Sequence, residues 1–600
     1  MRHSFQSRLI LSVTLLALLA LPSEPVLAEI AYHVAPNGDD SNKGTAAAPF
    51  ATLERAQRAV REATQAGLRD DVVVYLSAGT YYPEKTLQFG PLDGGTAEHS
   101  VTYAAVDGEQ VTISGGREIA GWRRGDDGVW TTELPDVKAG KWFFRQLYAD
   151  GKRMPRGRYP EKGFLKIKSV SKDRKTLRFD KPLPEGDFGG QDTEVVVVQN
   201  WSISREVIAE SNPEGLTAET PIGWIGHGWC VPKRGMAAFL ENARSLVKQP
   251  GQWYLDRKAG MLHYLAAEGE DPSGQRFVAP RLDQLVVIEG TGDRPVQNLH
   301  FRGIGFEHTN WLIPEIGYGG IQACYYGTTV REPACFAVRV AVELERCEGC
   351  TIQQCRLRHI GGSGIGLGAG CRENRIVGCV IGDIGANGVN IGHMKVKDPL
   401  WADWPNPKDV PRNNVVANCY IHHTGQELWG AVGIFQAMTQ GARIVHNEVT
   451  QTPYTGVSVG YVWNTKPTSQ RDCLVAENHI HEVMLRLYDG GAIYTLGFQP
   501  GTVLRRNHLH GVRRSGFAHG GAANNGIFFD EGSKGLLVEE NVIYDTAGGS
   551  IRFNQSNKTW QTWKDNSLGV TPESPEFPKD IADAAGPEAP YRARLKPDEH

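Results

Sequence analysis

RIVGCVIGDIGANGVNI, residues 375–391, decides the fold. A short apolar run ends in a Cys, a second apolar run follows, and a Gly-rich turn leads into Gly-apolar-x-apolar. The same phrase precedes it at 351–367 and recurs at 413–435, 443–459, 474–494, 503–529 and 536–553. Its marker residue is Cys355, Cys379, Cys419, Asn447, Asn478, Asn507 and Asn541 in turn, at steps of 24, 40, 28, 31, 29 and 34. That is a base period near 24 with loops inserted. A unit this short cannot bury its apolar face alone, so neighbours must stack. Short strands at such a period describe coils in which each strand pairs, parallel and in register, with the coils above and below. Asn at the marker turn satisfies backbone groups through its amide and suits left-handed conformations. Leucine-rich repeats share the period, but their Leu-x-x-Leu-x-Leu phrase is absent. The chain is therefore expected to be all-β, a right-handed parallel β-helix over residues 286–557.

Outward from that block, residues 29–116 read as an N-terminal cap and the first coils. Leu53, Ala56, Val60 and Ala63 share one helix face, with Thr52 as N-cap and Gly67 at the C-terminal end. Such a helix closes the open end of the solenoid, whose strand edge would otherwise be exposed. Residues 117–285 break the rhythm with alternating strands and charged turns, which predicts an inserted antiparallel β domain. Residues 558–600 are Pro- and acid-rich and read as a C-terminal tail. Residues 1–28 carry Arg2, His3 and Arg8, an apolar run over 9–21 and a small-residue end at Val26-Leu27-Ala28, the pattern of a cleaved signal peptide. The protein is thus expected to be exported, periplasmic or secreted. No other stretch approaches 18 apolar residues, so no membrane span is expected.

The net charge is −4 and no Lys/Arg cluster suggests nucleic acid. The expected partner is an oligo- or polysaccharide, bound by a monomer. Nine of ten cysteines fall between Cys324 and Cys473. Cys347-x-x-Cys350 lacks a second such pair with His at ligand spacing, so no metal and no cofactor are expected. Vertically stacked Cys355, Cys379 and Cys419 read as core thiols, while Cys347 with Cys371 and Cys324 with Cys335 are open to bridging.

Gly456-Val457-Ser458-Val459-Gly460 matches a serine-nucleophile motif by letter, but it sits on a repeat strand without the helix that motif requires. Carboxylates are more informative. Asp489 lies in Leu487-Tyr488-Asp489-Gly490-Gly491-Ala492, and Asp530 ends the apolar strand Ile527-Phe528-Phe529 of the next coil. Glycosidic cleavage needs one carboxyl raised by apolar neighbours and one ionised. A pair on adjacent coils can face one groove. Glu531 is the fallback for Asp530. Trp311, Trp429, Tyr461, Trp463 and Phe498 are candidates for stacking on sugar rings. Tyr494, His308, His422, His423 and Glu427 are candidates for contact with hydroxyls.

Several stretches resemble glycoside hydrolase family 141: PFATLERAQRAV (49–60), FFRQLYADGKRMPRGRYP (143–160), PGQWYLDRKAGMLHYL (250–265), GIGFEHTNW (303–311), PYTGVSVGY (453–461), LYDGGAIYTLG (487–497), FFDEGSKGLLVEENVIYD (528–545) and AGPEAPYRARL (585–595). The resemblance implies a β-helix enzyme, from a family that includes an α-L-fucosidase acting on complex pectin and a xylan-cleaving member. It implies that Asp489 and Asp530 are the catalytic aspartates; Glu531, His308, Glu427, Trp463 and Tyr494, read from their places on neighbouring coils, are the expected substrate-binding residues. One departure stands at Gly460-Tyr461-Val462-Trp463, where the family more often has Gly-Trp-Gly-Trp. An α-L-fucosidase is the leading expectation. A xylan-cleaving hydrolase, a polysaccharide lyase and a non-catalytic glycan-binding solenoid are the alternatives. A lyase calls for a Lys or Arg base with Ca²⁺ or a basic groove, and a binding module has no reason to desolvate two carboxylates.

Overall fold

The computed structural model describes residues 29–595 except 126–127, 187, 191, 328–334, 393–402 and 518; the expected signal peptide lies outside the described residues. Three long parallel sheets wind around one apolar core. The first has 12 strands from Glu29–Val34 to Thr562–Lys564, the second 11 from Gly79–Tyr81 to Ser567–Leu568, the third 10 from Leu87–Phe89 to Ile551–Phe553. Each coil contributes one short strand to each sheet, and inward residues such as Ile376, Ile381 and Val389 are fully buried.

The marker position builds a ladder. Asn447 Nδ2 donates to Asn478 Oδ1 at 3.0 Å, Asn478 to Asn507 at 3.0 Å, Asn507 to Asn541 at 2.9 Å and Asn541 to Asn566 at 2.9 Å. Each amide also donates to a carbonyl of the coil before it, as Asn478 does to Ile444. The residue just before each marker takes a left-handed φ: Asn418 56°, His446 55°, Glu477 56°, Arg506 51° and Glu540 54°. The side-chain amide thus caps a turn in which the main chain cannot satisfy itself. Asn566 carries this ladder past residue 557, where the tail was expected to begin. The strands Thr562–Lys564 and Ser567–Leu568 add a further coil, because Asn566 supplies the same cap as Asn541.

The N-terminal helix α1 spans Leu53–Gln65, and the Thr52 hydroxyl accepts from Arg55 N at 3.1 Å. It lays Leu53, Ala56, Ala59 and Val60 on the first coils. Between the strands Val111–Ser114 and Val286–Glu289 the chain leaves the solenoid. Strands over 116–280 pair antiparallel around two apolar cores of their own. A buried charge cluster docks this body onto the coils. Glu194 accepts from Arg145, Arg156 and Arg205 at 2.7, 2.7 and 2.5 Å, and Arg205 reaches Glu241 at 2.6 Å. From the solenoid, Glu427 lies 3.4 Å from both Arg145 and Arg156, and Asp383 takes Arg153 at 2.7 Å.

All ten cysteines are buried thiols, so neither pair open to bridging is bridged. Cys347 Sγ points at Ile288 O, 3.4 Å away, and Cys371 Sγ at Leu344 O, 3.2 Å away. Both aim the same way along the stack, each at a carbonyl of the coil before it.

Candidate active site

Asp489 and Asp530 belong to neighbouring coils of the third sheet. Asp489 stands two residues before the strand Gly491–Thr495, and Asp530 directly follows its partner Asn525–Phe529. The glycines after Asp489 are sterically required. A Cβ on Gly490 would come within 2.8 Å of Met484, Thr455 and Tyr454, and one on Gly491 within 2.6 Å of Asn525 O. The turn presses so closely on its neighbours that Asp489 itself adopts φ 68°, and Tyr454 Oη braces it by donating to Asp489 O at 2.9 Å.

The two carboxyls differ in company. Asp489 Oδ1 accepts from Arg552 Nη1 at 2.8 Å. Arg552 comes from two coils further on, its guanidinium 4.2 Å above the Phe528 ring. Asp530 has no cation at hydrogen-bond distance. Its Oδ2 accepts from the Tyr494 hydroxyl and its Oδ1 from Asn554 Nδ2 at 2.7 Å. Burial raises the pKa of both above the usual aspartate value. For Asp489, Arg552 opposes the rise and Asp530 adds to it; for Asp530, the Tyr494 and Asn554 hydrogen bonds oppose it. Glu531 is also raised, by burial and then by Asp530, and accepts from Gln555 Nε2 at 2.8 Å. Tyr494 is a firm donor, since burial and the Asp530 charge drive its phenol well above its ordinary pKa.

These groups open into one pocket of about 530 Å³, a size typical of small-molecule sites. Asp489, Asp530, Glu531, Tyr494 and Trp463 all line it. The opposite wall comes from the inserted body: Trp201, Trp224, His227 and Trp229, with Gln322 from a nearby loop. Trp229 is 46% exposed, its ring capped by Lys233 Nζ at 3.8 Å. Sequence reasoning did not single out the residues of this wall. Its one signal was three tryptophans within residues 201–229 of the insertion, far along the chain from either aspartate.

His308 and Glu427 do not reach the pocket. His308 lies on the second sheet, buried where the insertion departs, with Ser114 Oγ 2.9 Å from its Nδ1 and its ring stacked on His359. Glu427 is consumed by the docking cluster; burial opposes its ionisation, yet Arg156, Arg145, Arg205 and Arg153 hold its pKa down. Trp311 lies under Arg145, Trp429 packs on Phe239, and Tyr461 is buried with its hydroxyl on Gln322 O. Phe498, His422 and His423 also lie off the pocket lining. Among the described residues no helix is long and apolar enough to cross a membrane.

A family profile described as GH141 insertion domain matches residues 127–267, and one described as right-handed β-helix region matches 340–525. No curated protein matches the chain. A solved structure described as a glycoside hydrolase is 27% identical, with a TM-score of 0.85 over 94% of this chain and 100% of that one. A solved complex of XylC with xylose is 13% identical, with a TM-score of 0.47 over 87% of this chain and 70% of that one. The chain thus carries the insertion domain of glycoside hydrolase family 141 on a right-handed β-helix, and over 94% of its length it is similar to a solved glycoside hydrolase.

Proposed function

We propose that the protein removes an α-L-fucosyl group from a complex plant or algal polysaccharide, with Asp489 and Asp530 as the catalytic pair. The observation that carries this reading is the pocket itself. It holds two desolvated aspartates from adjacent coils in unlike company, as glycosidic cleavage requires. Because the two charges interact, protonating one favours ionisation of the other. Arg552 makes Asp489 the member that keeps its charge, so Asp489 serves as the carboxylate facing the anomeric centre. Asp530, whose hydrogen bonds come from the neutral donors Tyr494 and Asn554 and which feels Arg552 only as a weaker, non-contacting charge, carries the proton to the leaving oxygen. The resemblance to a family with an α-L-fucosidase supports the choice of sugar. Ile321 and Trp224 on the pocket lining suit the methyl group of a 6-deoxy sugar. The apolar run of residues 9–21 and its small-residue end support export.

The roles separate by leaving group. Asp530→Asn should cut turnover on the polysaccharide by roughly 10²–10⁴ while sparing an aryl α-L-fucoside whose phenol departs without a proton. Asp489→Asn should lose both substrates. Near-normal turnover by either variant on the polysaccharide would remove that residue from the mechanism. Release of another monosaccharide from pectin fragments would replace fucose. An unsaturated product absorbing in the ultraviolet would mark a lyase instead.

A further inference from the structure

On the outer face of the second sheet, remote from the catalytic pocket, the sequence reads His479-Ile480-His481 on one coil and His508-Leu509-His510 on the next. His479 and His508 are register partners, and side chains two positions apart leave a strand on the same face. Four imidazoles therefore form a square. Ring centroids are 4.3 Å apart between His479 and His481, 4.7 Å between His479 and His508, and 4.8 Å between His508 and His510. His479 Nε2 and His510 Nε2 lie only 2.9 Å apart. One ligand nitrogen from each of His479, His508 and His510 lies within 4.8 Å of the others, and the same holds for Glu448 with His479 and His481. His508 is 9% exposed, yet its Nδ1 has no hydrogen-bond partner among the described residues.

From this geometry we propose that His479, His508 and His510 bind a divalent transition-metal ion, with His481 and Glu448 at its edge. Imidazole nitrogens suit zinc and its neighbours far better than calcium or magnesium, which take oxygen ligands. Zinc–nitrogen bonds of about 2.0–2.1 Å in a tetrahedral site set ligand nitrogens ~3.3 Å apart, between the 2.9 Å of His479 to His510 and the 4.8 Å within which all three nitrogens lie. The ion would join two coils beneath the C-terminal segment. Phe577 packs edge-on against His508 and Tyr544, and Gly586 lies against His479.

The test uses the full-length protein without a polyhistidine tag, stripped with EDTA and titrated with ZnCl₂ by calorimetry. One saturable equivalent of zinc is expected, with an upward shift in Tm that EDTA reverses and slower proteolysis of the C-terminal segment. The variant His508→Gln/His510→Gln should lose the equivalent and both shifts. The single variant His479→Gln should weaken binding at least tenfold. Glycosidase activity without metal reports that each variant is folded. Absence of a saturable equivalent, or an equivalent that both variants retain, overturns the site and leaves a stacked aromatic ladder.

Discussion

Asp489 pairs a left-handed backbone with a partly desolvated carboxyl, and each is held by contacts with other segments. Tyr454 fixes its carbonyl and Arg552 its side chain. The strain and the desolvation oppose folding and are retained at the site where they act. A pKa raised by folding has a definite consequence for stability. Protonated Asp489 and Asp530 are favoured by the folded state, and this contribution is lost as pH rises from 3.8 through their folded pKa values. At pH 7 the Asn variants should therefore melt above the wild type while losing turnover, and the difference should close as the pH approaches 4. Differential scanning across pH checks this; Asn variants that melt lower at pH 7 would contradict it. At Trp229, exposed on the pocket rim, Trp229→Ala should raise KM with kcat nearly unchanged. Its effect on stability should stay within about 0.5 kcal/mol.

At the scale of strands and turns, the amide ladder is the most exacting element. Asn478 accepts from the backbone and the amide of Asn447 and donates to Ile444 O, Ala476 O and Asn507 Oδ1. Asn478→Ala orphans several buried groups at once and should cost on the order of 3 kcal/mol, read as a lower denaturant midpoint. The substitution Arg505→Ala, at a half-buried position of the adjacent coil, should cost far less. This element was legible because a turn that must be capped in every coil imposes one residue type at a readable interval. Asn566, 25 residues after Asn541, carried the same signal into the Pro-rich end. The aspartates were legible for a related reason, since a polar residue amid Gly and strand apolars stands out locally. His308 and Glu427 misled because sequence spacing places a residue on a coil without saying which of three faces it leaves. The tryptophan wall was illegible because it depends on how a separately folded insertion leans over the coils, and no local pattern encodes that docking.

For the whole molecule, the pocket depends on two bodies meeting along a buried, charged seam. Glu427 is the solenoid's contribution beneath Arg145 and Arg156. Glu427→Gln leaves buried cations short of a partner and should cost about 3–5 kcal/mol. Glu194→Gln should cost a similar amount, since Arg145, Arg156 and Arg205 converge on it. The two variants should differ in character: Glu427→Gln should also depress kcat/KM, because the Trp224 and Trp229 wall loses its anchor to the coils, and a variant with normal catalysis would show the wall to be held by other contacts. The seam also has a direction in time. Arg145, Arg153, Arg156 and Arg205 bring four positive charges to it, whereas the insertion itself supplies only Glu194 and Glu241. The two remaining negative charges, Asp383 and Glu427, are translated only after the insertion is complete. A growing chain thus holds a finished but electrically unbalanced domain, which stays wet along one face until the coils that neutralise it have wound into place beneath it.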